Sequence, residues 1–239
     1  MIKLGVNIDH IATIRNARGE DHPDIIKAAK FVSNCGADII TIHRREDERH
    51  INKKDVIILK KTISKPINLE MAANQDMLRL ALKIKPKYVC IVPEKRMEVT
   101  TEGGLNLKKN NLRQIIKKLK SSKIEVSLFV DPSISNIKLA KKLGADSVEI
   151  HTGKFAKLFK LKKKSQLNKE FIKIAKCSYL GKKINLNIKM GHGLDYDSTK
   201  YLCKIKEVCE FNIGHFIIGE SIFFGLKHVI KKFKNIIKR

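Results

Sequence analysis

The chain has 239 residues, 43% of them hydrophobic, which is enough to build a well-buried core in one large domain. Its longest apolar runs fall short of the roughly 18 to 20 residues of a membrane helix, and Asn7 and Asp9 break the N-terminal apolar stretch where a signal peptide needs continuity, so the cytoplasm is the expected compartment. The formal net charge of +26 first suggests nucleic acid, but the lysines are scattered along the whole chain, Trp is absent and aromatic residues make up only 6%, so no basic block interleaved with stacking rings exists to form a specific nucleic-acid surface.

Eight short β-branched runs alternate with amphipathic segments. The first, near residues 3 to 9, leads into Asp9 and His10. The segment DIIKAAKFVSN has helical spacing and stops before Gly36, and a strand follows near 38 to 43. DVIILKKTI precedes a strand near 66 to 70, and DMLRLALKI precedes one near 88 to 92. LRQIIKKLK leads to 125 to 130, SNIKLAKKLG to 147 to 151, and two further strands fall near 184 to 189 and 210 to 213. Strands alternating with helices predict a parallel sheet, and eight is the number that closes a single-domain (β/α)₈ TIM barrel over residues 1–239. Strands two and six echo each other as CGADIITIH and LGADSVEIH, four units apart. An open doubly wound sheet would carry a glycine-rich turn after strand one, and GVNIDHIATIRNARG has no G-x-G-x-x-G.

In such a barrel the chemistry sits at the carboxyl ends of the strands. Those ends carry Asp9 and His10, then His43 with Arg45 and His50, then Glu70, then Glu149 and His151, then His192, and last Gly214 and His215. Six of the eight histidines therefore share one expected rim with three carboxylates. Groups of this kind are costly to bury without partners, so their convergence points to a polar ligand and to proton transfer. Six of the nine arginines (Arg15, Arg18, Arg44, Arg45, Arg49 and Arg96) fall in three short polar segments, as suits recognition of phosphate or carboxylate. GHGLD and IGHFIIGES follow strands seven and eight, the usual barrel position for a phosphate held by backbone N–H groups. The long polar segment 92–107, with Thr100, Thr101, Gly103 and Gly104, reads as a lid. Histidine and carboxylate clusters also hold metals, yet no H-x-H or H-E-x-x-H pair is present, and five cysteines without a C-x-x-C pair suggest neither zinc nor disulfides.

The segments GVNIDHIATIRNARG, ITIHRREDERHI, NLEMA, VPEKRMEVTTEGGL, VSLFVDP, VEIHTG, GHGL and NIGHFIIG resemble, in order and spacing, the pyridoxine 5′-phosphate synthase family, from Gly5 to about Gly219. Lys189 and Met190 depart from that pattern, where smaller residues are expected before Gly191. The resemblance implies a barrel that condenses 1-deoxy-D-xylulose 5-phosphate with 3-amino-2-oxopropyl phosphate, without cofactor or metal. It implies that Asn7, Arg18, Gly193, Gly214 and His215 hold the amino-ketone phosphate, and that Asp9, His10, Arg45, His50 and Thr100 contact the deoxyxylulose phosphate. His43 and Glu70 match proton acceptors, His192 a proton donor, and Glu149 a residue that stabilises the transition state. It further implies an octamer built from dimers. Two other readings stay open: a basic nucleic-acid-binding protein on a barrel scaffold, and a barrel acting on another pair of phosphorylated substrates.

Overall fold

A computed structural model describes residues 1–94, 103–109 and 111–238. Eight strands form one parallel sheet: β1 (Lys3–Asn7), β2 (Ile39–His43), β3 (Ile67–Met71), β4 (Tyr88–Ile91), β5 (Glu125–Val130), β6 (Ser147–His151), β7 (Asn187–Gly191) and β8 (Val208–Ile213). Each pairs with the next, and β1 pairs with β8, so the sheet closes into a barrel. The helices between strands include α1 (Asp9–Arg18), α2 (Ile25–Asn34), α3 (Lys53–Thr62), α4 (Gln75–Ile84), α5 (Leu112–Ser121) and α6 (Ile134–Leu143). They continue with α7 (Gly153–Lys160), α8 (Lys164–Lys183), α9 (Tyr196–Leu202), α10 (His215–Phe224) and α11 (Leu226–Ile236). Among the described residues no helix is long and apolar enough to cross a membrane.

Local chemistry sets several of these boundaries. Asp24 caps α2 by accepting from the N–H groups of Ile26 and Lys27, and Asn52 and Asp55 form a reciprocal capping box at α3. The strand echo also has a structural purpose. Gly36 and Gly144 take positive φ (113° and 96°) to end α2 and α6, and the next-but-one residue, Asp38 or Asp146, accepts from the N–H of Leu4 or Val126 on the preceding strand, at 2.8 and 2.9 Å. Each carboxylate is neutralised by a lysine at 2.6 Å, Lys234 or Lys120. The repeated Gly-Ala-Asp is thus a helix stop joined to a strand-start latch.

Strand alternation divides the interior into two environments. Leu4, Val6, Ile40, Ile42, Leu69 and Val89 face outward and are buried under the helices in the main apolar core. The residues between them point into the barrel, where Thr41, Asn68, Ser127, Lys189, Glu210 and Asn212 are all buried. This inner column is polar over most of its length, with a small apolar patch of Cys90, Val92 and Phe129.

Three expected boundaries move. Strand one stops at Asn7 rather than 9, strand seven lies at Asn187–Gly191 rather than 184 to 189, and strand eight begins two residues early at Val208. Lys189 and Met190 are therefore strand residues: the lysine points into the barrel against Glu210, while the methionine packs in the outer core.

Candidate active site

Asp9 opens α1 instead of ending β1, because Asn7 turns the chain: its Oδ1 accepts from the Asp9 N–H at 2.9 Å and its Nδ2 donates to Asp9 Oδ2 at 2.8 Å. The other carboxylate oxygen, Oδ1, accepts from the His43 N–H at 2.8 Å, which ties the end of β2 to the start of α1. Burial pushes the Asp9 carboxyl up to about 6, against the opposing pull of His43 and these hydrogen bonds.

His43 is buried between two carboxylates. Its Nδ1 lies 3.7 Å from Glu70 Oε2 and its Nε2 lies 3.8 Å from Glu94 Oε2. Glu94 also faces the buried Arg45, Nε to Oε1 at 3.9 Å. Burial alone would raise the Glu94 carboxyl, but His43, the Glu46 N–H and Arg45 hold it below the usual range. Glu70 sits well above the usual range, first through burial and then through the charges of Glu149 and Asp9. The His50 ring packs 5.8 Å from that of His43, and burial, with His43 and Arg45 nearby, lowers it to about 3, so the ring is neutral at neutral pH. Asp9, His43 and His50 bring three metal-capable atoms within 4.8 Å of one another, a donor set of two imidazoles and a carboxylate that sequence spacing did not reveal.

Deeper in the mouth, Glu149 accepts from Asn212 Nδ2 at 2.7 Å, and the Cys90 thiol approaches at 3.9 Å. Burial raises Glu149 to about 7, Glu210 adds to the rise, and Lys189 and Asn212 oppose it. The mouth thus holds three carboxyls with raised pKa values, two of them, Asp9 and Glu70, beside the His43 imidazole, an arrangement suited to repeated proton transfer.

The wall that adjoins β1 on its other edge is built from β8, α10 and β7. Gly214 precedes α10, whose first residue His215 packs its ring 4.9 Å from that of His10. A Cβ on Gly214 would lie 2.8 Å from Cβ of Asn7, so only glycine lets this helix start close on β1. Burial and the neighbouring His215 lower His10. The N-terminus of α10, with two imidazoles and Asn7 around it, is a fitting place for an anion. His192 follows β7 with φ of 80°, a left-handed conformation costing a non-glycine residue about 1 to 2 kcal/mol. Burial and His151 lower its imidazole to about 4. Gly193 continues the turn at φ 76° and is exposed.

Most expected residues therefore share the carboxyl end of the barrel: Asn7, Asp9, His10, His43, Arg45, His50 and Glu70 on or just after β1 to β3, Glu149 on β6, and His192, Gly193, Gly214 and His215 just after β7 and β8. Arg18 stands apart, exposed on the last turn of α1 with Glu20 at 3.6 Å. Arg15 makes a paired contact with Asp55 at 2.8 Å, a structural bond between α1 and α3. Thr100, Thr101 and Arg96 lie outside the described residues. The described end of the expected lid is anchored: Leu105 and Leu107 are buried, and the Leu105 N–H donates to the Phe129 carbonyl at 2.8 Å. Glu94, Asp131 and Asn212 went unmarked in the sequence. The first two are carboxylates just beyond β4 and β5, the same positional signal that singled out the others.

A closed parallel barrel with acid and base groups gathered at its carboxyl end defines a (β/α)₈ enzyme, and comparison with known proteins narrows the class. The family model described as Pyridoxal phosphate biosynthesis protein PdxJ matches residues 4–239, and the chain belongs to this family. It is 53% identical to the pyridoxine 5′-phosphate synthase of Pelagibacter ubique, with 100% of both chains covered. It is 47% identical to that of Zymomonas mobilis, over 99% of this chain and 91% of the relative. Among solved structures, KGPDC from Streptococcus mutans superposes with a TM-score of 0.68 at 14% identity, covering 100% of this chain and 98% of that one. N-(5′-phosphoribosyl)anthranilate isomerase from Pyrococcus furiosus gives 0.62 at 12%, over 100% and 99%. These structural likenesses concern the fold alone.

Proposed function

We propose that the chain is a pyridoxine 5′-phosphate synthase that joins 1-deoxy-D-xylulose 5-phosphate to 3-amino-2-oxopropyl phosphate, releasing phosphate and water. The observation that carries this reading is the convergence of His43, Glu70 and Glu149 on one mouth, within a family defined by pyridoxal phosphate biosynthesis. An amine must condense with a ketone, phosphate and water must leave, and a carbon nucleophile must close the ring. Each step moves a proton, so several groups of different acidity serve better than one nucleophile.

In this reading Glu70 and His43 act as a pair. Burial and the charges of Glu149 and Asp9 raise Glu70, so its desolvated carboxylate is a stronger base for enolisation than a solvated one, and His43, 3.7 Å away, is placed to share the proton it takes up. His192 is neutral at rest and becomes a donor after taking up a proton released in the mouth, protonating the departing oxygen. Glu149 balances positive charge on the imine. Asp9, His10, Arg45, His50 and Thr100 bind the deoxyxylulose phosphate; Asn7, Arg18, Gly193, Gly214 and His215 bind the amino-ketone phosphate. We place the enzyme in the cytoplasm as an octamer built from four dimers. Ile222, Phe223 and Phe224, exposed together at the end of α10, support burial in an assembly, and a light-scattering mass of a single chain would refute it.

The test is to incubate chelator-treated protein with both substrates and follow phosphate release beside the pyridoxine 5′-phosphate chromophore. Both should appear together without added metal. Activity that returns only with a divalent ion would instead favour a metal at Asp9, His43 and His50. No product under either condition would sink the synthase reading.

A further inference from the structure

The segment VEIHTG gives Glu149 to the mouth, but its last three residues have no part in the chemistry above. They pack directly against the loop that carries His192. Thr152 is fully buried; its hydroxyl donates to the carbonyls of Gly191 at 2.7 Å and His192 at 2.8 Å, and its N–H donates to the Gly191 carbonyl at 3.0 Å. One side chain thus grips both peptides that lead into and out of the left-handed His192.

The His151 ring, at the end of β6, lies 4.8 Å from the His192 ring at 62°. Its Nδ1 is 3.2 Å from Asp131 Oδ1, and its buried Nε2 has no hydrogen-bond partner among the described residues. An Nδ1–H donated to Asp131 leaves Nε2 as a bare acceptor. That nitrogen faces the gap over Gly153: a Cβ there would lie 2.8 Å from both His151 Nε2 and His192 Cδ2. The missing side chain is therefore what lets the two imidazoles share one space.

We propose that Thr152 and the Asp131–His151 pair are positioning residues for His192, Thr152 fixing its backbone and the oriented His151 ring fixing its imidazole. This rests on His192 being the proton donor. The charged groups facing the pair are Asp131 beyond β5 and Glu170 of α8, itself 3.3 Å from Lys154 of α7; Phe129 and Gly153 complete the surround without charge.

The test uses Thr152→Val, Thr152→Ser, His151→Asn and His192→Asn in the full chain. Thr152→Val should lower kcat by about tenfold or more with KM for both substrates within about twofold, and Thr152→Ser, which keeps the hydroxyl, should recover most of the loss. By NMR, the His192 imidazole in His151→Asn should titrate at higher pH than in the parent, because the ring 4.8 Å away, whose own protonation competes with that of His192, is gone. Wild-type kcat in Thr152→Val, or an unmoved His192 titration in His151→Asn, would overturn the proposal. If Thr152→Val does not fold, the titration decides alone. If His192→Asn keeps full activity, the donor reading fails; the titration still reports whether His151 governs the ring.

Discussion

Glu149 shows what a single buried carboxyl costs and gives. Its unfolded value lies near 4.5, and the folded site raises it to about 7, chiefly by burial and by Glu210. Between these values the folded chain binds a proton that the unfolded chain does not. Stability is therefore favoured by this group at low pH, declines as pH rises through the window of about 4.5 to 7, and levels off above it. Glu149→Gln removes that titration while keeping an acceptor for Asn212. Its melting temperature should match the parent near pH 4.5 and exceed it at pH 8, by roughly 2 to 4 °C per kcal/mol recovered in a chain of this size. Activity should fall in the same variant. A melting difference that stays constant from pH 4.5 to 8 would show that the carboxylate is better solvated than its burial implies. The sequence marked Glu149 through its place at a strand end, but not its acidity, which depends on Asn212, Cys90 and Lys189 arriving from three other strands.

Within the strands, one parity governs both packing and chemistry. The outward residues are aliphatic and legible as β-branched runs; the inward residues look like interruptions of those runs, yet they are the site. This is why strands two, five and six could be placed closely from sequence while β7 could not: Lys189, which reads as the last residue of the apolar run from 184, is the inward residue at the centre of a strand that continues to Gly191. Its Nζ lies 3.1 Å from Glu210 on β8, and both are almost fully buried. Burial alone would lower the lysine's pKa, but the neighbouring Glu210 more than offsets this, so the lysine keeps its charge. Breaking such a pair leaves an uncompensated buried charge. Lys189→Met should cost about 3 to 5 kcal/mol of unfolding free energy by urea titration, and Lys189→Met with Glu210→Gln should recover much of it. Equal stabilities for the single and double variants would mean that the two charges do not depend on each other. The corresponding turn at Asn7 was equally hidden, because a carboxamide that hydrogen-bonds two residues ahead leaves no periodic trace.

At the scale of the whole molecule, the charge of +26 asks for a physical reason. Barrel helices run from the mouth back to the opposite face, so their last turns lie far from the site. Lysines gather there: Lys60 and Lys61 end α3, Lys83 ends α4, Lys118 and Lys120 end α5, Lys141 and Lys142 end α6, and Lys182 and Lys183 end α8. Cations at helix C-termini meet the negative end of the dipole, each contributing about 0.3 to 1 kcal/mol at low ionic strength. At physiological salt the screening length is only about 8 Å, so charges on the far face contribute little to the field that an anionic substrate meets at the mouth. Replacing the exposed Lys60, Lys61, Lys83, Lys118 and Lys142 together with glutamine should therefore lower the melting temperature while leaving kcat/KM for both substrates within about twofold at 0.15 M salt. A large fall in kcat/KM, growing as salt is lowered and absent from kcat, would show instead that the basic far side steers phosphorylated substrates toward the barrel.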